Sequence, residues 1–296
     1  MSMIQLRDVS KLYGFGDATT LALDEINFSV ESGEFVAIMG PSGCGKTTLM
    51  NVIGLLDQPT HGVYELHKRR VGRLSANQQA RARRDKIGFV FQSFNLLPWL
   101  TVLENVALPL AYQGKSVAHR LKMASGILQR VGLQEREYFM PSYLSGGQLQ
   151  SAAIARALIS EPKIIIADEP TGNLDSAGSR LIMELLSEIH KTGTTILLVT
   201  HNPELTRFAS RVVYMQDGQI VHDEKTKIGL VAPTAHRLTY NLYKMTEEDD
   251  LAGVSALMKA IPGGDKKTTK SPKPAKTKSK KAKAGVKRRK AQRAKS

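Results

Sequence analysis

Gly40-Pro41-Ser42-Gly43-Cys44-Gly45-Lys46-Thr47 fits the pattern G-x-x-x-x-G-K-[ST]. Glycines let a backbone curl until successive N–H groups point inward, and a helix starting there adds its positive end, so the chemistry is the binding of a polyphosphate. Lys46 is placed to reach the β- and γ-phosphates of a nucleotide and Thr47 to ligate Mg²⁺. Three further polar groups each close a short apolar run: Gln92 after Ile87–Phe91, the pair Asp168-Glu169 after Lys163–Ala167, and His201 after Thr194–Thr200. A carboxylate at such a position can hold a Mg²⁺ shell, an adjacent one can orient or deprotonate a water, and an amide can touch both cation and water. Leu144-Ser145-Gly146-Gly147-Gln148 precedes a helix-like segment containing Ile154, Ala157 and Leu158, which makes a second anion-directed helix start.

These residues need strands and helices to hold them. Phe35–Met39 is an apolar run ahead of the glycine-rich stretch, and a helix is expected from about Lys46. Lys163–Ala167 is continuous and β-branched, as expected of a strand buried on both faces. The pattern predicts a mostly parallel sheet whose strand ends bring Gln92, Asp168 and His201 to one rim, where ligands of open α/β sheets bind. Residues 3–8 and 26–30 read as short strands of an N-terminal β region, with Tyr13 in a loop beside Gly14 and Gly16, available to stack on an adenine ring or to serve in packing. Residues 68–86 read as a basic solvated surface. Residues 101–160 have helical periodicity broken at Gly114, Gly132 and Pro141, and 179–191 form an amphipathic helix with apolar positions Leu181, Leu185 and Ile189. Arg211–Met215 and Gln219–His222, joined across Asp217-Gly218, read as a closing hairpin.

Length and composition bound the reading. The 296 residues can bury a real core, 42% are hydrophobic, and no run approaches the roughly 18 apolar residues that span a bilayer. With no signal-like N-terminus, the expected location is cytoplasmic. Cys44 is the one cysteine, which excludes an internal disulfide. Its thiol sits among the amides of an anion site, which favours a thiolate, or it is a small residue chosen for size. The charge of +15 suggests a nucleic-acid protein until it is located: residues 1–264 hold 27 Lys/Arg against 26 Asp/Glu, whereas Asp265–Ser296 hold 15 Lys/Arg and one Asp. Inference from charge therefore belongs to the tail.

The order of motifs resembles the ATP-binding subunit of ATP-binding cassette (ABC) transporters over residues 1–224. GPSGCGKT is like Walker A, IIIADE like Walker B, LSGGQ like the family signature, Gln92 like the Q-loop, Asp175 in NLD like the D-loop and His201 like the switch histidine. The wording FVFQSFNLLPWLTVLENVALPL and DEPTGNLDS is most similar to the branch of lipoprotein-releasing, macrolide-exporting and cell-division cassettes. The resemblance implies a P-loop NTPase core with an N-terminal antiparallel β region and a helical subdomain at about 93–150. It implies ATP and Mg²⁺ as ligands, with nucleotide contacts from Tyr13, Gly40, Ser42, Gly43, Cys44, Gly45, Lys46, Thr47 and Thr48. It further implies a head-to-tail homodimer in which Ser145, Gly146, Gly147, Gln148 and Asp175 of one copy complete the site of the other. Mg²⁺ would be held by Thr47, Gln92 and Asp168; Glu169 would be the general base, with His201 and Gln92 placing the water. A multi-spanning membrane subunit would dock near Phe94–Trp99, putting the protein on the inner face of the cell membrane. The competing reading is a soluble ABC ATPase acting on nucleic acid or ribosomes through its basic tail. The chain departs from the family pattern at Gln150-Ser151, where Gln-Arg is common, so any ion pair of that Arg between the helical and core subdomains is missing.

Residues 225–264 form an extension that the resemblance does not cover. Thr246 followed by Glu247, Glu248, Asp249 and Asp250 predicts a helix start, and Leu251, Val254, Leu257, Met258 and Ile261 lie along one face before Pro262-Gly263-Gly264. Residues 265–296 lack aromatic residues and have Val286 as their one large aliphatic residue, so they are expected to be disordered. Their charge would attract anionic lipid or nucleic acid, or serve only to solubilise the chain.

Overall fold

The computed structural model describes residues 2–14 and 18–226. The expected helix at 246–261 and the basic tail lie outside these residues. Strands β1 (Ser2–Tyr13), β2 (Thr20–Glu31), β4 (His61–Leu66) and β5 (Arg69–Arg70) form an antiparallel sheet in the order β2-β1-β4-β5. Strands β3 (Phe35–Met39), β6 (Ile87–Phe91), β7 (Ile164–Asp168), β8 (Thr195–Val199), β9 (Arg211–Gln216) and β10 (Gln219–Lys225) form the second sheet, in the order β10-β9-β3-β8-β7-β6. All neighbours in it are parallel except the β9–β10 hairpin at its edge.

The continuous apolar runs have a simple cause: both faces of the parallel sheet are covered. Val36, Ile38, Ile164, Ile166, Leu197 and Val199 face helix α1 (Lys46–Ile53) and the antiparallel sheet, in one core. Their alternates Phe35, Ala37, Ile165, Ala167, Ile196 and Leu198 face helix α6 (Ser176–Lys191) in another. Helices α3 (Val102–Tyr112), α4 (Val117–Arg130) and α5 (Gly146–Leu158) enclose a third cluster built from Val102, Leu103, Val106, Ala124, Leu128 and Ala155. Helix α5 belongs to two cores, since Ile154 and Ala157 lie in the second and Ala152, Ala155 and Ile159 in the third.

Three local expectations are corrected. The first two strands run twelve residues each rather than five or six, because bulges between Leu6 and Val9 and between Val9 and Lys11 let the pairing continue past broken alternation, with Asp8 at φ 51° and Glu25 at φ 46°. Tyr13 is accordingly the last residue of β1, paired with Thr20, and not a loop residue. In α6 Leu181 is 51% exposed, and the buried seam is Ile182, Met183, Leu185, Leu186 and Ile189. The basic stretch is a mostly exposed surface, as expected, and part of it is helix α2 (Ala76–Lys86), started by a Ser75/Gln78 capping box and tied down by Arg83, which donates to the Leu55 carbonyl.

Strand β6 lies close against the end of α5. A Cβ added at Gly88 would come 2.7 Å from the Ala157 carbonyl oxygen and 3.1 Å from Pro162 Cγ. Backbone oxygen cannot swing away as a side chain can. Gly88→Ala should therefore lower unfolding stability by about 1–3 kcal/mol in urea titration, and an unchanged midpoint would show that β6 has room the packing denies.

Candidate functional site

The stretch from Gly40 to Thr47 is shaped by its glycines. Gly40 (φ 152°), Gly43 (φ 82°) and Gly45 (φ 101°) all have positive φ. A Cβ at Gly40 would meet the Met215 carbonyl oxygen at 2.2 Å and one at Gly45 the Ala22 carbonyl oxygen at 2.6 Å, whereas one at Gly43 would meet nothing within 4 Å. Gly40 and Gly45 thus press the loop against β9 and β2, and Gly43 marks its open side. Gly218 N–H donates to the Cys44 carbonyl at 3.1 Å, pinning the loop from the β9–β10 turn. Helix α1 starts at Lys46 with no capping side chain on its first amides and no acid in its first turn, which leaves its positive end for an anion. Ser42 and Thr47 are exposed at this end, and the Lys46 ammonium folds back to donate to the carbonyls of Gly40 and Pro41 at 2.8 Å each. Cys44 is buried in the first core with its sulfur 3.9 Å from Lys46 Nζ, the environment of a small packing residue.

Register then aligns the strand ends. Ile38 pairs with Val199, Val199 with Asp168, and Asp168 with Phe91. Gln92, Glu169 and Thr200-His201 therefore leave the sheet at one level, next to the loop that follows Met39. His201 Nδ1 and Glu169 Oε1 are 2.8 Å apart. Glu169 has a left-handed backbone, φ 44°, held by its N–H donating to the Val199 carbonyl at 2.9 Å. Burial and the adjacent Glu169 charge push the Asp168 carboxyl above its ordinary value, while Lys46 pulls it down. Asp168 and Lys46 therefore sense each other.

The Gln92 side chain lies over Gly172, where an added Cβ would come 2.6 Å from Nε2, and Asn173 Nδ2 donates to the Gln92 carbonyl at 3.1 Å. Tyr13 donates to Asp57 Oδ2 at 2.8 Å, with Lys11 Nζ 4.8 Å from its ring centroid, and the side chains of Tyr13 and Thr48 are hydrogen-bonded. The ring is thereby positioned beside the start of α1. Burial and the Asp57 carboxylate raise the Tyr13 hydroxyl above its ordinary value.

The signature stretch stands apart from this cradle. Ser145 caps α5: its Oγ accepts from Gln148 N–H at 3.4 Å and Gln148 Oε1 accepts from Ser145 N–H at 3.0 Å. Gly146 and Gly147 lie against Leu174 and Gly178, and Asp175 caps α6 by accepting from Gly178 N–H at 2.8 Å. Within one chain this group belongs to the Asp175 loop, not to the Lys46 loop. Ser151 is buried and donates to the Gly147 carbonyl at 3.0 Å.

The donor chemistry fits Mg²⁺ with a nucleotide. Thr47, Gln92 and Asp168 offer oxygen ligands, and among the described residues no cluster of three or more His, Cys, Asp or Glu forms a metal cage by itself. Mg²⁺ is commonly held by one or two protein groups together with substrate phosphates. Asn173 and Arg156, which hold the Gln92 segment, were not singled out from the sequence, and Gln150, which does so too, stood out only beside Ser151. Arg156 had a signal, being a lone charge among Ile154, Ala155, Ala157 and Leu158.

The model of the family described as ABC transporter matches residues 23–172. The chain belongs to the ABC transporter family. It is 50% identical over 219 residues to the ABC transporter ATP-binding protein MJ1508 of Methanocaldococcus jannaschii, covering 74% of this chain and 98% of that one. It is 45% identical over 225 residues to the macrolide export ATP-binding/permease protein MacB of Hyphomonas neptunium, covering 76% of this chain but 35% of that protein. The cassette MJ0796, solved as a dimer in a post-hydrolysis state with ADP and Pi, superposes with TM-score 0.70 at 44% identity, covering 75% of this chain and 98% of that one. The ABC chain is thus an ATP-hydrolysing, nucleotide-binding subunit with the P-loop fold expected of it, and its relatives agree with the branch named above. Among the described residues no helix is long and apolar enough to cross a membrane.

The raised Asp168 carboxyl has a consequence for stability. A carboxyl that binds its proton more tightly when folded costs stability as pH rises from the unfolded value, about 3.9, through the folded one, and that cost persists above. Asp168→Asn should raise the melting temperature at pH 7, with the gain shrinking as pH falls toward about 4. Calorimetry across that range checks it; a gain independent of pH would show that ionisation is not its source.

Proposed function

We propose that this protein is the energy-supplying subunit of an ABC transporter, closing as a homodimer on ATP and driving a separate membrane-spanning partner. The contact between Glu169 and His201, beside Asp168 on the rim that carries Lys46, is the observation that carries this reading. Lys46 and the amides of Gly43 to Thr48 bind the phosphates, and Tyr13 lies under the base. Glu169 takes the proton of the attacking water as its oxygen bonds to the γ-phosphorus and the bond to ADP breaks. His201 orients the Glu169 carboxylate from 2.8 Å, and Gln92 touches the water and the γ-phosphate. When bound, Mg²⁺ neutralises phosphate charge, held by Thr47, Gln92 and Asp168.

Ser145, Gly146, Gly147 and Gln148, remote from the Lys46 loop of their own chain, contact the ATP bound by the second copy, with Asp175 positioning the loop between them. The dimeric MJ0796 cassette supports this arrangement. A membrane partner is supported by the MacB relatives, whose name joins an ATP-binding part and a permease in one protein, of which this chain spans about a third. The partner docks at the segment Phe94–Trp99, where Trp99 is 69% exposed. On this reading the subunit works from the cytoplasmic face of the membrane, and the basic tail meets anionic lipid. The transporter names of the relatives favour it over action on nucleic acid or ribosomes.

Glu169→Gln keeps the shape of the side chain and removes the base. It should bind ATP normally, lower turnover by about 10²–10⁴, and accumulate as an ATP-bound dimer on gel filtration. Lys46→Ala should instead lose ATP affinity and activity together. Parent-like turnover by the Glu169→Gln protein would overturn the assignment of the base.

A further inference from the structure

The segment that carries Gln92 is built in a backbone conformation that Phe94 disfavours and Asn95 tolerates. Phe94 (φ 61°) and Asn95 (φ 52°) are consecutive non-glycine residues in the left-handed region, and neither is paired in a sheet. Their carbonyls have one common partner. The Arg156 guanidinium donates through Nη2 to the Phe94 oxygen at 2.9 Å and through Nη1 to the Asn95 oxygen. Burial pulls the pKa of this guanidinium down, a cost that a surface arginine would not carry. Upstream on the same helix, Gln150 donates to the Phe91 carbonyl at 3.3 Å while its own Oε1 is buried without a partner. Gln92 itself is exposed and rests on Gly172.

Two α5 side chains therefore grip the backbone on both sides of Gln92. The start of the same helix bears Ser145, and Gly146 there approaches the Phe94 ring, 4.0 Å from a would-be Cβ. Ser151 turns back on its own helix, donating to the Gly147 carbonyl at 3.0 Å.

We propose that Arg156 is a positioning residue for ATP hydrolysis: by holding Phe94 and Asn95 left-handed it sets the place of Gln92, and it ties that place to the helix whose start faces the second nucleotide. This rests on the role given to Gln92 above. Arg156 donates to the backbone carbonyls of Phe94 and Asn95, so its effect travels through the segment that carries Gln92, and that is what separates it from a residue that merely stabilises the fold.

The test is a double-mutant cycle on the full chain with Arg156→Gln and Gln92→Ala, reading kcat, KM and the affinity for ATP without Mg²⁺. Arg156→Gln should lower kcat at least tenfold with ATP affinity within twofold of the parent. Arg156→Lys, whose ammonium can still donate to carbonyls, should recover most of the loss. In the Gln92→Ala background Arg156→Gln should cost less than a further twofold. Two independent, multiplying losses would overturn the proposal, as would a loss of affinity rather than of kcat. If Arg156→Gln does not fold, the cycle run with Arg156→Met, which keeps the aliphatic stem and removes the donors, its folding checked by thermal unfolding, decides on the same criterion of non-additivity. An active Gln92→Ala protein with parent kcat would instead sink the reading of Gln92 itself.

Discussion

Hydrogen bonding between parallel strands places Ile38 opposite Val199, Val199 opposite Asp168 and Asp168 opposite Phe91, and that lateral register decides what chemistry can be assembled. A slip of one residue in β7 would exchange the two cores' side chains, because the faces alternate. It would also carry Asp168 away from Lys46 and Glu169 away from His201. Isoleucines 164, 165 and 166 fill both faces alike, so the slip is opposed at the ends of the run, where it would draw Lys163 or Asp168 into the apolar interior. Close placement of polar groups at the rim is thus enforced by the cost of burying the charges that flank the strand.

Strain and burial at the rim are compensated from that interior. Glu169 sits left-handed against a hydrogen bond to the last residue of β8, and Asp168 is held where its charge is penalised. Neither condition would persist on a loose surface loop. The antiparallel sheet is tied to the same block: Lys11, Tyr13 and Asp57 link β1 to the chain after α1, so the aromatic ring and the glycine-rich loop are fixed to each other. On Asp57 burial acts upward, but the Lys11 and Tyr13 hydrogen bonds outweigh it and hold the carboxyl below its ordinary value.

Much of this was legible because strands covered on both faces leave unbroken runs such as Phe35–Met39, and because a glycine-rich stretch before a helix has few structural uses. The parallel sheet, the hairpin across Asp217-Gly218 and the family followed from those runs and the motif order. What escaped was written in other terms. Helix α2 buries only Gln79 and draws its stability from a capping box and one arginine, so it leaves no apolar stripe to find. Leu181 shares the i, i+4 spacing of Leu185 and Ile189 but falls at the edge of the seam. Bulges in β1 and β2 break the two-residue period at Asp8 and Glu25, which hid the full strand lengths and so the true setting of Tyr13. Arg156 stood out in the sequence only as a lone charge among apolar residues, and its carbonyl partners lie 61 and 62 residues away.

Helix α5 meets the third core through the small side chains of Ala152 and Ala155, whereas toward the sheet it sets the larger Ile154 beside Ala157. Alanines interlock shallowly and a branched knob deeply, so the helix is keyed to the sheet and has more freedom to slide against the helical layer. Enlarging those alanines would stiffen the joint between the two halves of the cassette even where it left the stability of each half intact.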